Sequence, residues 1–302
     1  MMLLRSFDHL RRAMWRALAH GAFNNAKAAA YSAILSIFPA LLVVTTLLAF
    51  TPETDTVRGD IRNGFSDILP PDTMSLLQTY FQTNHARSVR LIWTSVFITI
   101  FAAMGVMLSL MDGFRRAYLL PRSEWSSWQE HLVALALVPA TLVPLIFATL
   151  LVAFGHSIEN WMIDNADHEL RFYVLLIWRI IRWAIAMLTS VVVLGVIYHF
   201  GTPRKRPWGQ IVPGGLLATV TWFLATLIYG WYLTRYADYS VVYGSLGAGV
   251  ATLVWLYMVC FIILFGAEFN ALLYPVSPPP ISPPPAQNDG ENSVTIRSHQ
   301  SV

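Results

Sequence analysis

Two arginines, Arg179 and Arg182, interrupt a long apolar run of this chain. Residues three apart lie on one face of a helix, so their two guanidinium groups project from the same side. Two guanidinium groups that face a cavity would bind a phosphate or a carboxylate. The alternative is that both long side chains extend past the apolar segment to lipid headgroups near the outer end of the helix.

A carboxylate, Glu268, lies in another apolar run, within the segment Gly266-Ala267-Glu268-Phe269-Asn270. Ionisable residues within membrane helices are costly, and they commonly mark proton relays or ion pathways. Glu268 could therefore carry protons in a coupled transporter. The alternative is a structural ion pair with Lys27 or with an arginine of a nearby loop. Ser36 places a further polar group in a third apolar run.

The sequence contains no pattern typical of hydrolytic or metal-dependent enzymes. Its eight histidines show no His-x-x-x-His spacing, so no zinc site is predicted. The chain also lacks a Gly-x-x-x-x-Gly-Lys-Ser/Thr loop for ATP phosphates and a Gly-x-Ser-x-Gly turn for a nucleophilic serine. Its basic segments are too short to form a nucleic-acid-binding module. We therefore predict no enzymatic activity, no cofactor, no metal and no nucleic-acid partner.

Six long apolar runs must position these polar groups. Each has at least the ~20 residues that an α-helix needs to cross a hydrocarbon layer of about 30 Å. Lipid offers no partner for backbone N–H and C=O groups, so such runs must be helices. We therefore predict an all-α, polytopic membrane protein with spans at residues 28–50, 91–111, 132–154, 173–200, 210–233 and 249–273.

Composition and charge agree with this prediction and indicate an orientation. Of the 302 residues, 56% are hydrophobic and 12% are charged, whereas about 25% are charged in soluble proteins. Twelve lysines and arginines fall in the N-terminal segment, the C-terminal tail and the loops on their side of the membrane, and six fall on the opposite side. The positive-inside rule then places both termini in the cytoplasm. The single cysteine, Cys260, excludes an intramolecular disulfide.

Prolines interrupt several of the predicted spans. Pro39 lies midway along the first span, Pro139 and Pro144 lie in the third, and Pro213-Gly214-Gly215 opens the fifth. Proline removes a helix hydrogen bond, and transporters use broken helices as hinges and binding sites. Small residues at the start of the first span and before the sixth have the spacing of close helix contacts, which packing alone explains.

The remaining segments divide the chain into three parts. Residues 1–27 are predicted to form a basic amphipathic helix on an anionic leaflet, because arginines surround apolar residues at helical spacing: Leu3, Phe7, Leu10, Met14 and Leu18. The alternative is a helix packed on the protein's own inner face. Residues 28–274 form the six-helix domain, with helices also predicted in the outer loop at 51–90. The Pro-rich residues 275–302 are predicted to be a disordered cytoplasmic tail.

Two parts of the sequence are similar to a known family. The first part is Ala29-Ala30-Tyr31-Ser32-Ala33-Ile34-Leu35-Ser36-Ile37-Phe38-Pro39. The second part consists of Tyr243-Gly244-Ser245-Leu246-Gly247, Leu253-Val254-Trp255-Leu256-Tyr257 and Gly266-Ala267-Glu268-Phe269-Asn270. In the order and spacing of these segments and in the six spans, residues 10–274 resemble the YihY/BrkB family of bacterial inner-membrane proteins, once labelled ribonuclease BN.

The resemblance implies a six-helix inner-membrane protein with both termini in the cytoplasm. It also implies a link to serum resistance and to lipid or lipopolysaccharide export, whereas the ribonuclease label is generally regarded as a misassignment. The family's recurrent residues and the arginine pair together are the candidate cavity or transport residues: Ser36, Pro39, Arg179, Arg182, Tyr243, Gly244, Trp255, Tyr257, Gly266, Glu268 and Asn270.

These observations favour a transporter or flippase for an amphipathic, anionic envelope component, either a lipid or a lipopolysaccharide-related molecule. Membrane lipids are then its expected partners. The first alternative is a membrane scaffold that transports nothing and maintains envelope integrity by recruiting partners. The second is a tRNA-processing ribonuclease, which no motif of the chain supports. The sequence indicates neither a substrate identity, nor an energy source, nor an oligomeric state.

Overall fold

The fold is all-α, as predicted. The computed structural model describes residues 2–48, 89–121, 124–165, 171–235 and 246–275. This part of the chain forms seven helices and no strand: α1 (Met2–Ala19), α2 (Ala22–Leu48), α3 (Val89–Ala117), α4 (Ser127–Asn165), α5 (Arg171–Phe200), α6 (Trp208–Arg235) and α7 (Gly247–Leu273). Helices α2 to α7 are each long and apolar enough to cross a membrane. The six predicted spans are therefore confirmed.

Helix boundaries differ from the predicted spans mainly where the helices extend beyond their apolar runs. Helix α2 begins at Ala22 rather than at residue 28, directly after Gly21, whose positive φ of 75° turns the chain away from α1. Helix α4 continues to Asn165, eleven residues beyond the predicted end of the third span at residue 154. The predicted helices between residues 51 and 88 and the predicted disordered tail from residue 276 onward lie outside the described residues.

The six spanning helices form a ring. Each helix packs against the next one along the chain, and α7 closes the ring against α2. Helix α7 also contacts α3 across the ring and α1 near its own C-terminal end. Helix α7 is therefore the central element, since it contacts α1, α2, α3 and α6.

One end of the ring gathers α1, the α3–α4 and α5–α6 connections, and the last residues of α7. Arg204 of the α5–α6 connection pairs with Glu124 of the α3–α4 connection, with its Nη2 2.6 Å from Oε1. In the same region, Arg206 donates a hydrogen bond to the backbone carbonyl of Tyr274. We call this the termini end of the bundle, and we call the opposite end the far end.

Burial differs between the two ends. Side-chain burial is described for residues 8–43, 93–121, 124–147, 176–235 and 246–275. Within these ranges, α2 to α5 have their buried hydrophobic residues only toward the termini end, at positions 22–30, 110–117, 134–138 and 193–198. Toward the far end their described hydrophobic residues are half-buried or exposed. The described hydrophobic core of these four helices therefore lies at the termini end.

Helices α6 and α7 stay packed along most of their length. Near the far end, Tyr229 and Leu233 of α6 form a buried cluster with Ala251 and Trp255 of α7. The Tyr229 hydroxyl donates a 2.8 Å hydrogen bond to the backbone carbonyl of Ala251. Among the described residues, this pair of helices therefore has buried contacts near both ends.

The three prolines in the interiors of α2 and α4 lie beyond the last buried hydrophobic residue of each helix in the described range. Pro39 lies beyond Ala30, the last buried hydrophobic residue of α2 in the described range. Pro139 and Pro144 lie just beyond Val138, the last such residue of α4. Each proline removes a backbone hydrogen bond from its helix, so the far-end halves of α2 and α4 can change direction there.

Candidate functional site

The most deeply buried charged side chain in the described part of the chain is Glu268, on α7 near the termini end. Glu268 is 1% exposed. Its Oε1 lies 2.6 Å from Nδ1 of His20, and its Oε2 lies 3.5 Å from Nε of Arg16. The desolvation of this carboxylate is therefore offset by a hydrogen bond and a cation.

Both partners of Glu268 come from the C-terminal part of α1 and the turn after it. Arg16 and His20 are four residues apart, so they lie on the same face of that turn. Arg16 also donates from Nη2 to the backbone carbonyl of Ala117 at the end of α3, at 3.2 Å. The side chains of α1 thus connect α7 to α3, and α1 becomes part of the bundle rather than a separate arm.

A second buried polar side chain, Asn270, joins α7 to α6. Its Oδ1 accepts a 2.7 Å hydrogen bond from the backbone N–H of Gly214, and its Nδ2 donates a 2.9 Å hydrogen bond to the carbonyl of Ile211. Asn270 is fully buried. One amide side chain thus satisfies two backbone groups in the proline-containing first turns of α6.

Helices α6 and α7 approach closely because two glycines face each other beside Asn270. A Cβ on Gly266 would lie 2.5 Å from the Tyr198 hydroxyl, 2.7 Å from the Gly214 carbonyl and 2.9 Å from Cβ of Ala218. The Tyr198 hydroxyl donates a 2.7 Å hydrogen bond to the backbone carbonyl of Ile263. Three helices, α5, α6 and α7, therefore meet at this point without room for another methyl group.

An arginine and a tyrosine lie over this contact on the termini side. The guanidinium carbon of Arg206 lies 4.4 Å from the ring centroid of Tyr118, in a cation–π arrangement. Burial raises the pKa of Tyr118 to about 12, although the positive charge of Arg206 acts in the opposite direction. Burial also lowers the pKa of Arg206. The tyrosine is therefore neutral at physiological pH and covers the buried network.

We expect Tyr118→Phe to reduce the loss of stability at alkaline pH. Tyr118 contributes its full stabilisation at pH values below 10.0, the ordinary pKa of tyrosine. This contribution to the free energy of unfolding is lost as pH rises toward about 12, because the unfolded chain releases the hydroxyl proton at a lower pH than the folded protein does. Two pKa units correspond to roughly 3 kcal/mol. Thermal unfolding of both proteins in detergent, measured between pH 9 and 12, should give a shallower decline for the variant. Equal slopes would contradict the assignment.

A further charged network surrounds a cavity between α2, α3 and α4 at the termini end. Asp112 pairs with both Arg115 and Arg116, and it accepts a 3.1 Å hydrogen bond from Nδ2 of Asn25. Arg115 also lies 3.1 Å from Oε1 of Glu130 on α4. The cavity has a volume of about 340 Å³, and half of its eight lining residues belong to this network. The charged side chains pair with one another on α3 and α4, and the neutral Asn25 connects them to α2.

The structure brings together three of the candidate residues predicted from the sequence. Gly266, Glu268 and Asn270 occupy the same turn of α7, within the contact region of α1, α5 and α6. The suggested structural partners of Glu268 were Lys27 or a loop arginine. The described partners are instead Arg16 and His20, and Lys27 is exposed on α2.

The other candidates lie apart from this region. Trp255 donates from Nε1 to the Thr226 hydroxyl at 3.3 Å, and the Tyr257 ring stacks on Phe23 with 6.2 Å between centroids. Ser36 donates to the carbonyl of Ala33 in its own helix, and Pro39 is half-buried in α2. Arg179 is exposed and Arg182 is half-buried on the far-end half of α5. Tyr243 and Gly244 lie outside the described residues.

Sequence reasoning did not select Arg16, His20, Tyr118 or Tyr198 as site residues. The four-residue spacing of Arg16 and His20 was a usable signal for a shared face, but no pattern in the chain indicates which helix that face contacts. Among the described residues, no group of three or more His, Cys, Asp or Glu side chains has the geometry to hold a metal ion.

Comparison with known proteins identifies the family of the chain. The model of the family described as virulence factor BrkB matches residues 13–289. The chain belongs to the BrkB family. The resemblance seen in the first and last spans is therefore confirmed, and the match includes α2 to α7 and the last seven residues of α1.

Several curated relatives share much of the BrkB-family region. The chain is 29% identical over 247 residues to the ribonuclease-like protein YfkH of Bacillus subtilis, covering 81% of this chain and 87% of YfkH. It is 24% identical to a UPF0761 membrane protein of Azotobacter vinelandii (87% of this chain, 62% of that protein). A UPF0761 membrane protein of Vibrio campbellii is 25% identical (85% and 79%). The chain thus spans less than two thirds of the length of the Azotobacter relative. No solved structure matches this chain.

Proposed function

We propose that this BrkB-family protein is a transporter or flippase that moves an amphipathic, anionic envelope component across the bacterial inner membrane. In this proposal both termini lie in the cytoplasm, because the basic residues are concentrated on the side of the termini. The termini end of the bundle is then its cytoplasmic end. The relatives named as membrane proteins support the membrane location.

The observation that carries the proposal is the difference in packing between the two ends. At the termini end, side chains of α1, α2, α3, α5, α6 and α7 form one buried core. At the far end, the described residues of α5 from 176 to 184 are all exposed or half-buried. Among the described residues the bundle is thus tightly packed at the termini end and less tightly packed at the far end, a difference that alternating access would require.

The charges and apolar surface at the far end indicate the class of molecule. Arg182 is half-buried and lies four residues after the half-buried Trp178, on the side of α5 that faces its neighbours. A guanidinium group in this position can bind a phosphate or carboxylate headgroup. Exposed apolar side chains such as Phe97 and Phe101 on α3 offer contacts to acyl chains. An anionic lipid combines both properties.

The test is a lipid-translocation assay with the purified full-length chain in liposomes. Fluorescent phosphatidylglycerol in the outer leaflet is bleached by dithionite, with and without an imposed proton gradient, and the protected fraction reports movement between leaflets. We expect wild-type protein to move the anionic lipid. We expect Arg182→Gln to slow it by about ten-fold, since a hydrogen bond to a charged group contributes about 1.5–3 kcal/mol.

The matched control is Lys27→Gln, which also removes one positive charge but from the exposed surface of α2 at the other end of the bundle. It should leave the rate unchanged. Wild-type liposomes that resemble empty liposomes under both conditions would contradict the transport proposal and favour a scaffold. Equal rates for wild type and Arg182→Gln would contradict the role of the arginine.

A further inference from the structure

Helix α1 has one face that belongs to the bundle. Ala13 and Ala17 are fully buried, and Arg16 and His20 reach Glu268 of α7. These positions recur at intervals of three and four residues, so they form a single stripe along the helix. This stripe fixes α1 at the termini end of the spanning helices.

A second stripe on α1 is apolar and not covered by the described part of the chain. Leu10, Met14 and Leu18 are 37%, 38% and 39% exposed, and they are spaced four residues apart. At 3.6 residues per turn, this stripe lies roughly a quarter of a turn from the line of Ala13 and Ala17. Helix α1 therefore presents apolar side chains in two directions, one toward α7 and one away from it.

The polar surface of α1 is basic. The helix carries four arginines and one aspartate. Arg11 and Arg12 are both exposed. Arg11 lies beside the apolar stripe, and Arg12 lies on the remaining polar side of the helix. The Arg11 side chain is 63% exposed, and its Nη2 lies 3.5 Å from Asp8. An apolar stripe flanked by arginines is complementary to a leaflet that contains anionic lipid.

We propose that α1 binds the anionic leaflet at the termini end through Leu10, Met14 and Leu18, while its stripe with Arg16 and His20 holds Glu268. The proposal concerns this surface and does not depend on transport. A second copy of the chain is a poorer occupant, because two basic helices repel each other. Three side chains also form a stripe much smaller than the roughly 1,000 Å² of a stable protein interface.

The position of α1 supports this occupant. Helix α1 ends just before α2 enters its apolar span, and it contacts α7 near the end of that helix. It therefore lies at the depth where the spans meet the headgroup layer. Binding of α1 to lipid would hold Arg16 and His20 in place beside the carboxylate of Glu268. Helix α1 would then connect the leaflet to α7.

The test places a fluorescent label at single cysteines in the full-length protein, in nanodiscs, on a Cys260→Ala background that removes the buried native thiol. Leu18→Cys samples the stripe, and Ala19→Cys is the matched control, exposed and next in sequence but pointing about 100° away. The readout is quenching by a lipid that carries a spin label just below its headgroup. Discs contain phosphatidylcholine alone or mixed with phosphatidylglycerol.

We expect the lipid to quench the Leu18→Cys label several-fold more than the Ala19→Cys label, and more strongly in discs with phosphatidylglycerol. Arg11→Gln with Arg12→Gln should remove this dependence on anionic lipid, and elution of the variant as a single species checks its folding. Equal quenching at both positions, or quenching that does not depend on lipid charge, would overturn the proposal. So would dipolar coupling between spin labels at Leu18→Cys on two copies, which would assign the stripe to an oligomer.

Discussion

Gly214→Ala is expected to lower the stability of the protein more than any other single methyl group added to α6. The new Cβ would overlap the backbone carbonyl of Gly266 and the side-chain amide of Asn270. A backbone carbonyl cannot rotate away as a flexible side chain can, so α6 and α7 must separate. Separation would also lengthen the two hydrogen bonds that Asn270 makes to α6. Overpacking of a core costs about 1–3 kcal/mol, and we expect a loss of about 3 kcal/mol.

The measurement is thermal unfolding in detergent, followed by the fluorescence of the eleven tryptophans. Gly230→Ala is the matched control, because it lies on the same helix and its new Cβ would have nothing within 4 Å. Alanine is favoured over glycine in a helix by up to about 1 kcal/mol. The control should therefore unfold at the same temperature as wild type or higher. Similar unfolding temperatures for Gly214→Ala and wild type would show that the contact is looser than described.

Glu268→Ala should release α1 from the bundle. The substitution leaves Arg16 and His20 without the carboxylate to which they bind, and breaking a buried ion pair from one side costs about 3–5 kcal/mol. Part of this cost can be avoided if both side chains turn to water, which requires α1 to move. Limited trypsin digestion in detergent reports the release, since Arg11, Arg12 and Arg16 all lie on α1. Cleavage there should accelerate by ten-fold or more, a factor equivalent to about 1.4 kcal/mol.

Two variants define the cause of this effect. Glu268→Gln keeps the shape and a hydrogen bond to His20 but loses the charge, so its cleavage rate should fall between those of wild type and the alanine variant. Glu124→Gln removes a carboxylate that pairs with Arg204, whose side chain is 41% exposed. Pairs near the surface contribute about 0–1 kcal/mol, and α1 should remain protected in that variant. Wild-type cleavage rates in Glu268→Ala would mean that other contacts hold α1.

The spanning helices could be predicted because each one is encoded by local composition. An apolar run longer than about 20 residues has only one stable conformation in lipid. The residues at which the helices end were less predictable, since a helix can continue into polar sequence when no helix-terminating residue is present. Helix α4 passes Gly155 and His156 and extends to Asn165, whereas Gly21 ends α1 because it adopts a positive φ.

The contacts within the site were predictable only in part. Gly266, Glu268 and Asn270 share a short segment, so the sequence places them together on α7. Their partners come from other helices, and lipid-exposed apolar faces do not indicate which helix packs against which. The pairing of Glu268 with Arg16 and His20 spans 252 and 248 positions of the chain. The docking of Asn270 on α6 depends on the glycine at 214, whose role is visible only when both helices are in place.

The glycine contact between α6 and α7 has a mechanical consequence. At the termini end this contact can serve as a fixed point for helix motion, because the backbones of α6 and α7 touch there directly. Gly247, the first residue of α7, precedes Gly266 by 19 residues, or about 29 Å along the helix, so a rotation of about 10° around this contact would displace that end of α7 by roughly 5 Å. Because α6 and α7 are also joined near the far end, we expect the two helices to tilt as a pair, which would change their distance from the far-end halves of the other helices while the bonds of Asn270 stay intact.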